Sequence, residues 1–140
     1  MDKVTKNQSK KKEKSLSYFK KKAWEAFSIF IRQRGADIHG FNYCYTCGGI
    51  DKWDKLQAGH AIQGRNNAVL LDESICRPQC VSCNIFRHGM QHIFCTKLIV
   101  ENGMDWWAQK LAESKQIKKV SRLDYERLIE EFKNFRYSKP

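Results

Sequence analysis

Two pairs of cysteines constrain the fold of this chain more than any other feature of its sequence. Each pair has the spacing Cys-x-x-Cys, at Cys44 and Cys47 and again at Cys80 and Cys83, with residues 48–79 between the pairs. Such a turn presents two thiolates on one side of the backbone, and two turns complete the tetrahedral sulfur set that Zn²⁺ prefers. We therefore predict a structural zinc site whose binding free energy is coupled to folding. The alternative is a redox-active pair, for which a single CxxC suffices.

Length and composition indicate one small domain that a bound metal would help to stabilise. The chain has 140 residues, of which 41% are hydrophobic, so its core is real but modest. No apolar run is long enough to span a membrane, and the charged N-terminus lacks the apolar segment of a signal peptide. We expect a cytoplasmic protein. Disulfides are rare there, so we predict that Cys76 and Cys95 are small buried apolar residues.

The positive charge is concentrated at the N-terminus. The whole chain has a formal net charge of +11, and residues 1–22 hold nine lysines against Asp2 and Glu13, which gives 9 − 2 = +7. A polyanion is the natural partner of such a segment, and nucleic acid is the commonest one. The alternative is a solvated tail that only aids solubility. The lysines that we expect to contact DNA are Lys10, Lys11, Lys12, Lys20, Lys21 and Lys22.

Composition and periodicity divide the chain into three parts. Residues 1–15 have almost no apolar content, and we predict a basic, disordered tail. Residues 16–104 contain an N-terminal helix followed by the segment with the two cysteine pairs, and residues 105–140 form a helical extension. We predict the α+β class, with a small zinc-stapled core between N- and C-terminal helices.

The two ends of the chain carry the clearest helix signals. The first helix begins at Leu16 and stops at Gly35. In the last helix, Ser121 with Asp124 three residues later resembles a capping box. The apolar stripe of the first helix is predicted to consist of Leu16, Phe19, Ala23, Phe27, Phe30 and Ile31.

Between the two cysteine pairs we predict a β-hairpin. Residues 54–62 and 68–76 read as strands, and residues 63–67 (QGRNN) have turn chemistry. In that register His60 would pair near Leu70.

The hairpin and the helix after the second cysteine pair are predicted to bring three polar side chains together. Asp72 would share a face with His60, and Asn84 would begin a helix over residues 84–102. A base with two oxygen ligands suits a hard divalent cation such as Mg²⁺ or Mn²⁺. His88 would lie on the same helical face as Asn84, four residues further on.

These residue types suit the hydrolysis of a phosphodiester. The reaction needs a deprotonated water and a cation that offsets the charge on the phosphate oxygens. A neutral imidazole near pH 7 can take the proton from the water. The alternative for His60, taken alone, is a buried histidine whose hydrogen bonds are satisfied.

Several motifs resemble known families. A cysteine pair, a histidine-bearing hairpin, a second cysteine pair and a helix resemble the ββα-metal, or HNH, nucleases, and the direct join of Cys83 to Asn84 is similar to phage endonuclease VII. The closer resemblance, over about residues 24–104, is to the lambdoid phage recombination protein NinG (Rap) family. The similar segments are FSIFIRQRGAD (27–37), CYTCG (44–48), AGH (58–60), LDE (71–73), QCVSCN (79–84) and the region of Gly89.

The resemblance implies an HNH core and a metal-dependent endonuclease that acts on branched DNA, such as Holliday junctions and D-loops. It implies that His60 is the general base, that Asn84 is a ligand of the catalytic cation, and that the four paired cysteines hold structural zinc. It also implies that Arg65, in the hairpin turn, contacts a phosphate, against the alternative of a solvated turn arginine.

Two positions depart from the nuclease pattern. Many HNH enzymes have a metal-binding residue just before the base, where this chain has Gly59, and the middle asparagine of the signature falls near Ile75. We predict that Asp72, then Glu73 and then His88 supply the missing ligands of the cation.

Three classes of function therefore remain open. The first is the zinc-stapled nuclease, and the second is a zinc-containing recombination accessory protein that binds DNA without cutting it. The third is an RNA-binding or RNA-processing protein, because a basic tail does not distinguish the two nucleic acids. Two cuts at a junction would suit a homodimer, an expectation that rests on analogy alone.

Overall fold

The computed structural model describes residues 12–135, so the predicted DNA contacts Lys10 and Lys11 lie outside the described residues. Within that range one α-helix precedes two small antiparallel sheets and three α-helices follow them, which is an α+β arrangement, as predicted. The helices are α1 (Leu16–Gln33), α2 (Gln91–Asn102), α3 (Met104–Ser114) and α4 (Arg122–Asn134). The strands are β1 (Phe41–Tyr43), β2 (Ile50–Lys52), β3 (Gln57–His60) and β4 (Cys76–Gln79).

Helix α1 begins and ends where its sequence predicts. The side chain of Ser15 caps its first turn by accepting a hydrogen bond from the Tyr18 N–H, and Gly35 follows its end with a φ of 81°. The predicted stripe faces the core except for Leu16, which is 52% exposed because it lies in the first turn, beyond the packed face. The buried positions are Phe19, Ala23, Ala26, Phe27, Phe30 and Ile31.

The first cysteine pair lies on a ribbon that the sequence analysis missed. Strands β1 and β2 pair with Phe41 opposite Lys52 and Tyr43 opposite Ile50, in a segment for which we predict no strand. The side chain of Asn42 is buried and donates to the carbonyl oxygens at the end of α1. This contact fixes the ribbon to the helix and sets the position of the first CxxC turn.

The hairpin is present, but its second strand was predicted in the wrong place: β4 covers Cys76–Gln79 and not residues 68–76. Strand β3 pairs with β4, so the strand partner of His60 is Cys76 and not Leu70. Residues 68–71 form a turn instead of a strand, although their apolar side chains Val69 and Leu70 are buried. A short apolar run has the same composition in a buried turn as in a buried strand, which explains the error.

The single helix predicted over residues 84–102 is also wrong, because the backbone breaks before α2. A π-helical turn covers Ser82–Phe86, and three successive residues then adopt positive φ angles: His88 at 52°, Gly89 at 79° and Met90 at 48°. Left-handed backbone cannot continue a right-handed helix. His88 therefore does not share a helical face with Asn84.

One core joins the helices to the β3–β4 hairpin. Its largest fully buried members include Phe27, Ile75, Phe94 and Leu98, and Trp107 of α3 also packs there. Trp106 is only partly buried against the same cluster. The two tryptophans differ in burial because adjacent residues on a helix point in different directions. Within residues 12–135, no helix is both long and apolar enough to cross a membrane.

Helix α4 returns the chain to α1 through aromatic packing. The predicted capping box is confirmed, with Ser121 and Asp124 bonded reciprocally at the start of the helix. The rings of Phe132 and Phe30 have centroids 5.2 Å apart, and those of Phe135 and Phe30 are 4.7 Å apart in an edge-to-face arrangement. Such pairs stabilise a fold beyond the area that they bury.

We expect Phe132→Ala to lower the free energy of unfolding by about 2–3 kcal/mol, because it removes a ring packed between α4 and two phenylalanines of α1. Leu123→Ala, in the same helix, is the control: Leu123 is 74% exposed, and its loss should cost no more than about 0.5 kcal/mol. Urea unfolding measures both values, and equal values would contradict the assigned packing.

Candidate metal centre and adjoining hollow

The four paired cysteines meet at one point. Their sulfur atoms all lie within 4.8 Å of one another, and among the described residues this is the group of His, Cys, Asp or Glu side chains arranged to hold a metal. The four are Cys44 after β1, Cys47 in the turn before β2, Cys80 after β4, and Cys83 within the π-helical turn. Such a cluster can bind a metal such as zinc, and four sulfur ligands fit a closed, structural site.

The electrostatics of the cluster favour a bound cation. Burial opposes ionisation of Cys44, but hydrogen bonds from Thr46 and from nearby backbone N–H groups outweigh it and lower its pKa to about 6. Burial, together with the neighbouring thiols, raises the pKa of Cys83 to about 12. Four thiolates so close together repel one another, so all four ionise together only around a positive ion.

The two remaining cysteines lie apart from this cluster. Cys76 is fully buried in the core, and burial raises its pKa well above the usual range of a thiol. Cys95 is partly buried, with its sulfur 3.7 Å from the carbonyl oxygen of Ala61. Both are packed with the core, as predicted.

We expect Cys83→Ser to abolish stoichiometric zinc binding and to lower the stability by about 3 kcal/mol or more, because metal binding is coupled to folding. Cys95→Ser is the control, since it makes the same change at a partly buried thiol that lies outside the cluster. It should retain one zinc per chain and lose no more than about 1 kcal/mol. Elemental analysis with thermal unfolding distinguishes the two, and full zinc content in Cys83→Ser would refute the site.

A small hollow of about 230 Å³ opens between α1, the β3–β4 hairpin and the π-helical turn. His60 ends β3, Asn84 lies in the π-helical turn, and Arg65 lies in the loop after β3. The residues that line it are Trp24, Ala58, His60, Gln63, Gly64, Arg65, Leu70 and Asn84. The structure thus brings together the predicted base, one predicted cation ligand and the predicted phosphate contact.

One hydrogen bond fixes the protonation pattern of His60. Its Nε2 lies 2.8 Å from the carbonyl oxygen of Leu70, and because a carbonyl only accepts, Nε2 carries the proton. In the neutral ring the lone pair is then on Nδ1. The ring is stacked on Trp24, with centroids 5.4 Å apart, and this contact restricts its rotation.

The surroundings keep His60 neutral. Burial lowers the pKa of the imidazole, the Leu70 carbonyl opposes that change, and the nearby positive charge of Arg65 lowers the pKa further. A neutral ring with a free Nδ1 can accept a proton near pH 7.

Asn84 and Arg65 offer complementary groups at the hollow. The Nδ2 of Asn84 donates to Oε1 of Gln57 at 2.8 Å, which leaves its carbonyl oxygen as a ligand. The guanidinium of Arg65 lies 5.6 Å from the centre of the Trp24 ring, and Lys20 donates to the Arg65 carbonyl at 2.9 Å. Two cationic side chains therefore meet at the rim, where a phosphate would be attracted.

The structure does not bring Asp72, Glu73 or His88 into this hollow. Asp72 caps the turn at Ser74 and forms an ion pair with Lys110 of α3 at 3.2 Å. With Glu73 it borders a separate groove of about 710 Å³ between this turn and helices α3 and α4. The reason is the register described above, which displaces residues 68–73 from the strand.

The remaining predicted lysines differ in their surroundings. Lys12 and Lys21 are exposed, whereas Lys22 pairs with Glu25 at 3.1 Å on the surface of α1. An exposed pair of this kind contributes little to stability and leaves the side chain free to exchange its partner.

The donor set of the hollow fits a divalent cation only together with a substrate. Among its described lining residues there is no acidic side chain, and the protein offers one amide oxygen, from Asn84, beside the imidazole of His60. Mg²⁺ often keeps several waters and takes further oxygens from a substrate phosphate. Asn84 would hold such an ion, with the phosphate supplying the missing negative charge.

Steric crowding explains why the residue before His60 is a glycine. A Cβ on residue 59 would overlap the side chain of Gln79, with Cδ at 2.7 Å. Gln79 is fully buried; its Nε2 donates to Thr46 and to the Gly89 carbonyl, while its Oε1 lacks a conventional hydrogen-bond partner among the described residues and faces Gly59. The Gly59 Cα–H can act as a weak donor to that oxygen. Gln79 thus fills the space that a ligand side chain at residue 59 would need.

The residue near the middle asparagine position is also structural. Ile75 is fully buried in the core, and its carbonyl accepts the Ala61 N–H at 2.9 Å. The role of orienting His60 belongs to the Leu70 carbonyl instead. Neither Leu70, Gln57 nor Trp24 was predicted from the sequence, because their roles depend on contacts between distant segments.

We expect Gly59→Ala to lower the free energy of unfolding by about 2–3 kcal/mol, because the new methyl group displaces the Gln79 side chain from its hydrogen bonds. Combined with Gln79→Ala, it should cost clearly less than the sum of the two single changes, since the clash is then absent. Urea unfolding of the three variants measures this coupling. Additive costs would show that the two residues do not compete for space.

The fold and the site define an α+β protein in which a four-cysteine cluster that can bind a metal adjoins a small basic hollow. The family model described as "Bacteriophage Lambda NinG protein" matches residues 1–137. The chain therefore belongs to the NinG family, whose members are phage proteins related to recombination. A search of curated proteins and a search of solved structures found no match.

Proposed function

We propose that this protein is a metal-dependent endonuclease that hydrolyses phosphodiester bonds in branched recombination intermediates. The observation that carries the proposal is the convergence of His60, Asn84 and Arg65 on one hollow, with the histidine held neutral and Nε2 bound to the Leu70 carbonyl, so that the lone pair is on Nδ1. This arrangement supplies a base, a cation ligand and a phosphate contact within one small space.

The chemistry follows from the side chains of the hollow. Nδ1 of His60 accepts a proton from a water molecule, the water oxygen attacks phosphorus, and the bond from phosphorus to the leaving oxygen breaks. The Leu70 carbonyl then stabilises the imidazolium through Nε2–H. Arg65 offsets negative charge on the phosphate oxygens.

A divalent cation such as Mg²⁺ or Mn²⁺, when bound, would supply charge stabilisation for the phosphate and the leaving oxygen. Asn84 is the residue that would hold it. The backbone around Asn84 is fixed, because its N–H donates to the Cys80 carbonyl at 2.9 Å and Cys83 precedes it directly. The structural zinc would therefore support this position indirectly.

Family membership and charge support DNA as the substrate. The NinG family is related to phage recombination, and the net charge of +11 suits a polyanion. Lys20 and Arg65 extend the positive charge of α1 to the edge of the hollow. Branched DNA is the form that recombination produces, and we propose it as the preferred substrate.

A second function has one observation in its favour. The described lining of the hollow has no acidic side chain, which weakens cation binding in the absence of a substrate. A zinc-containing accessory protein that binds recombination DNA without cutting it is the alternative.

The test is cleavage of a synthetic four-way junction, a D-loop and linear duplex DNA by the purified protein, with and without Mg²⁺ or Mn²⁺. We expect His60→Ala to lose at least about a hundredfold in cleavage rate, because the base is gone, while junction binding changes little. His92→Ala is the control, since His92 is exposed on α2, away from the hollow, and it should cut like the parent.

The outcomes separate the two candidate functions. If the parent cuts DNA and His60→Ala cuts it equally fast, His60 is not the general base. Tight, salt-dependent junction binding by the parent with no cleavage in either metal would refute the endonuclease and establish the accessory role.

A further inference from the structure

The side-chain amide of Asn84 has two chemically different ends, and only one of them can bind a cation. Its Oδ1 is a hard oxygen ligand, whereas its Nδ2 carries two protons and repels a positive ion. The two ends have almost the same shape, so packing alone does not decide which end faces the hollow. A polar partner must make that choice.

The partner is Gln57, the first residue of β3. Its Oε1 accepts a hydrogen bond from Nδ2 of Asn84 at 2.8 Å. Gln57 is partly buried and lies opposite Gln79 in the β3–β4 register. Gln79 in turn directly precedes Cys80, one of the four clustered cysteines. Both members of the amide pair are therefore attached to backbone that the metal cluster fixes.

We propose that Gln57 is a positioning residue that binds the NH₂ end of Asn84 and thereby directs the carbonyl oxygen of Asn84 to a divalent cation in the hollow. This inference rests on the proposed function. Gln57 would contribute to the reaction through Asn84, without touching the substrate itself. The hydrogen bond biases the amide by several-fold, up to about tenfold.

Three substitutions separate this role from simple packing. Gln57→Met keeps the length of the side chain and removes the acceptor. Gln57→Glu keeps an acceptor and removes every donor, so it can bind only the NH₂ end of Asn84. Gln109→Met is the control for the same chemical change, because Gln109 is exposed on α3, outside the hollow, and its side chain donates to Glu113 instead.

The hydrogen bond itself is measured first, by NMR of the zinc-bound full chain without DNA. In the parent and in Gln109→Met, the two Nδ2 protons of Asn84 should have well-separated shifts, because one of them is hydrogen-bonded. In Gln57→Met the two shifts should move towards each other. Unchanged Asn84 signals in Gln57→Met would overturn the proposal, whether or not the protein cuts DNA.

Cation binding is measured next, in a His60→Ala background that prevents cleavage. The probe is Mn²⁺, whose free concentration is followed by electron paramagnetic resonance in the presence of a synthetic four-way junction, with the junction alone subtracted. We expect Gln57→Met to weaken Mn²⁺ binding about three- to tenfold, the size of one neutral hydrogen bond. Gln57→Glu should bind at least as tightly as its parent, and Gln109→Met should be unchanged.

A second background tests the reason for the effect. Asn84→Asp has oxygen at both ends, so its orientation no longer matters, and Gln57→Met should not weaken Mn²⁺ binding there. Equal weakening in both backgrounds would overturn the proposal in favour of a purely structural role. Weakening by Gln57→Glu would also overturn it, since it would mean that Gln57 donates and that the NH₂ group of Asn84 faces the hollow.

These outcomes are independent of the endonuclease assignment. If the unsubstituted chain binds Mn²⁺ on the junction and shows the expected Gln57 dependence but never cuts, the endonuclease fails and the positioning role stands. If it binds no Mn²⁺ beyond that of the junction, the positioning role is refuted.

Discussion

The meeting of four sulfur atoms from two distant turns is the constraint on which the rest of this structure depends. The first turn belongs to the β1–β2 ribbon and the second follows the β3–β4 hairpin, so the cluster joins two sheets that share no strand. Short ribbons are marginal on their own, and a metal that closes the intervening loop offsets their cost in chain entropy. The same closure holds the π-helical turn in place, and with it the backbone of Asn84.

A single buried side chain, that of Gln79, connects the cysteine cluster to the hollow. Gln79 reaches Thr46 beside the cluster, the Gly89 carbonyl at the left-handed break, and Gly59 next to His60. The two hydrogen bonds that the buried Gln79 amide donates hold these segments together, and losing them would leave a buried polar group without partners. The glycine that departs from the nuclease pattern is therefore explained by packing, and the departure removes a cation ligand at the same time.

Features encoded locally could be predicted from the sequence, and features set by distant contacts could not. The cysteine spacing, the buried face of α1 and the capping box at Ser121 follow from neighbouring residues, and each was predicted. Strands of three residues, such as β1, are too short to show a period, and the buried turn at residues 68–71 has the composition of a strand. His60 and Asn84 were placed correctly beside each other because the cysteines hold both ends of the segment, although the predicted register was wrong.

The carbonyl that orients His60 belongs to Leu70, which lies between the hollow and the larger groove. Two residues further on, the ion pair of Asp72 with Lys110 ties this turn to α3. The turn that contacts the imidazole of His60 is thus supported by a helix far along the chain, outside the segment that the cysteines enclose. A fragment bounded by the cysteines would keep all four sulfur ligands and the Leu70 carbonyl, but it would lose the helix to which that turn is attached.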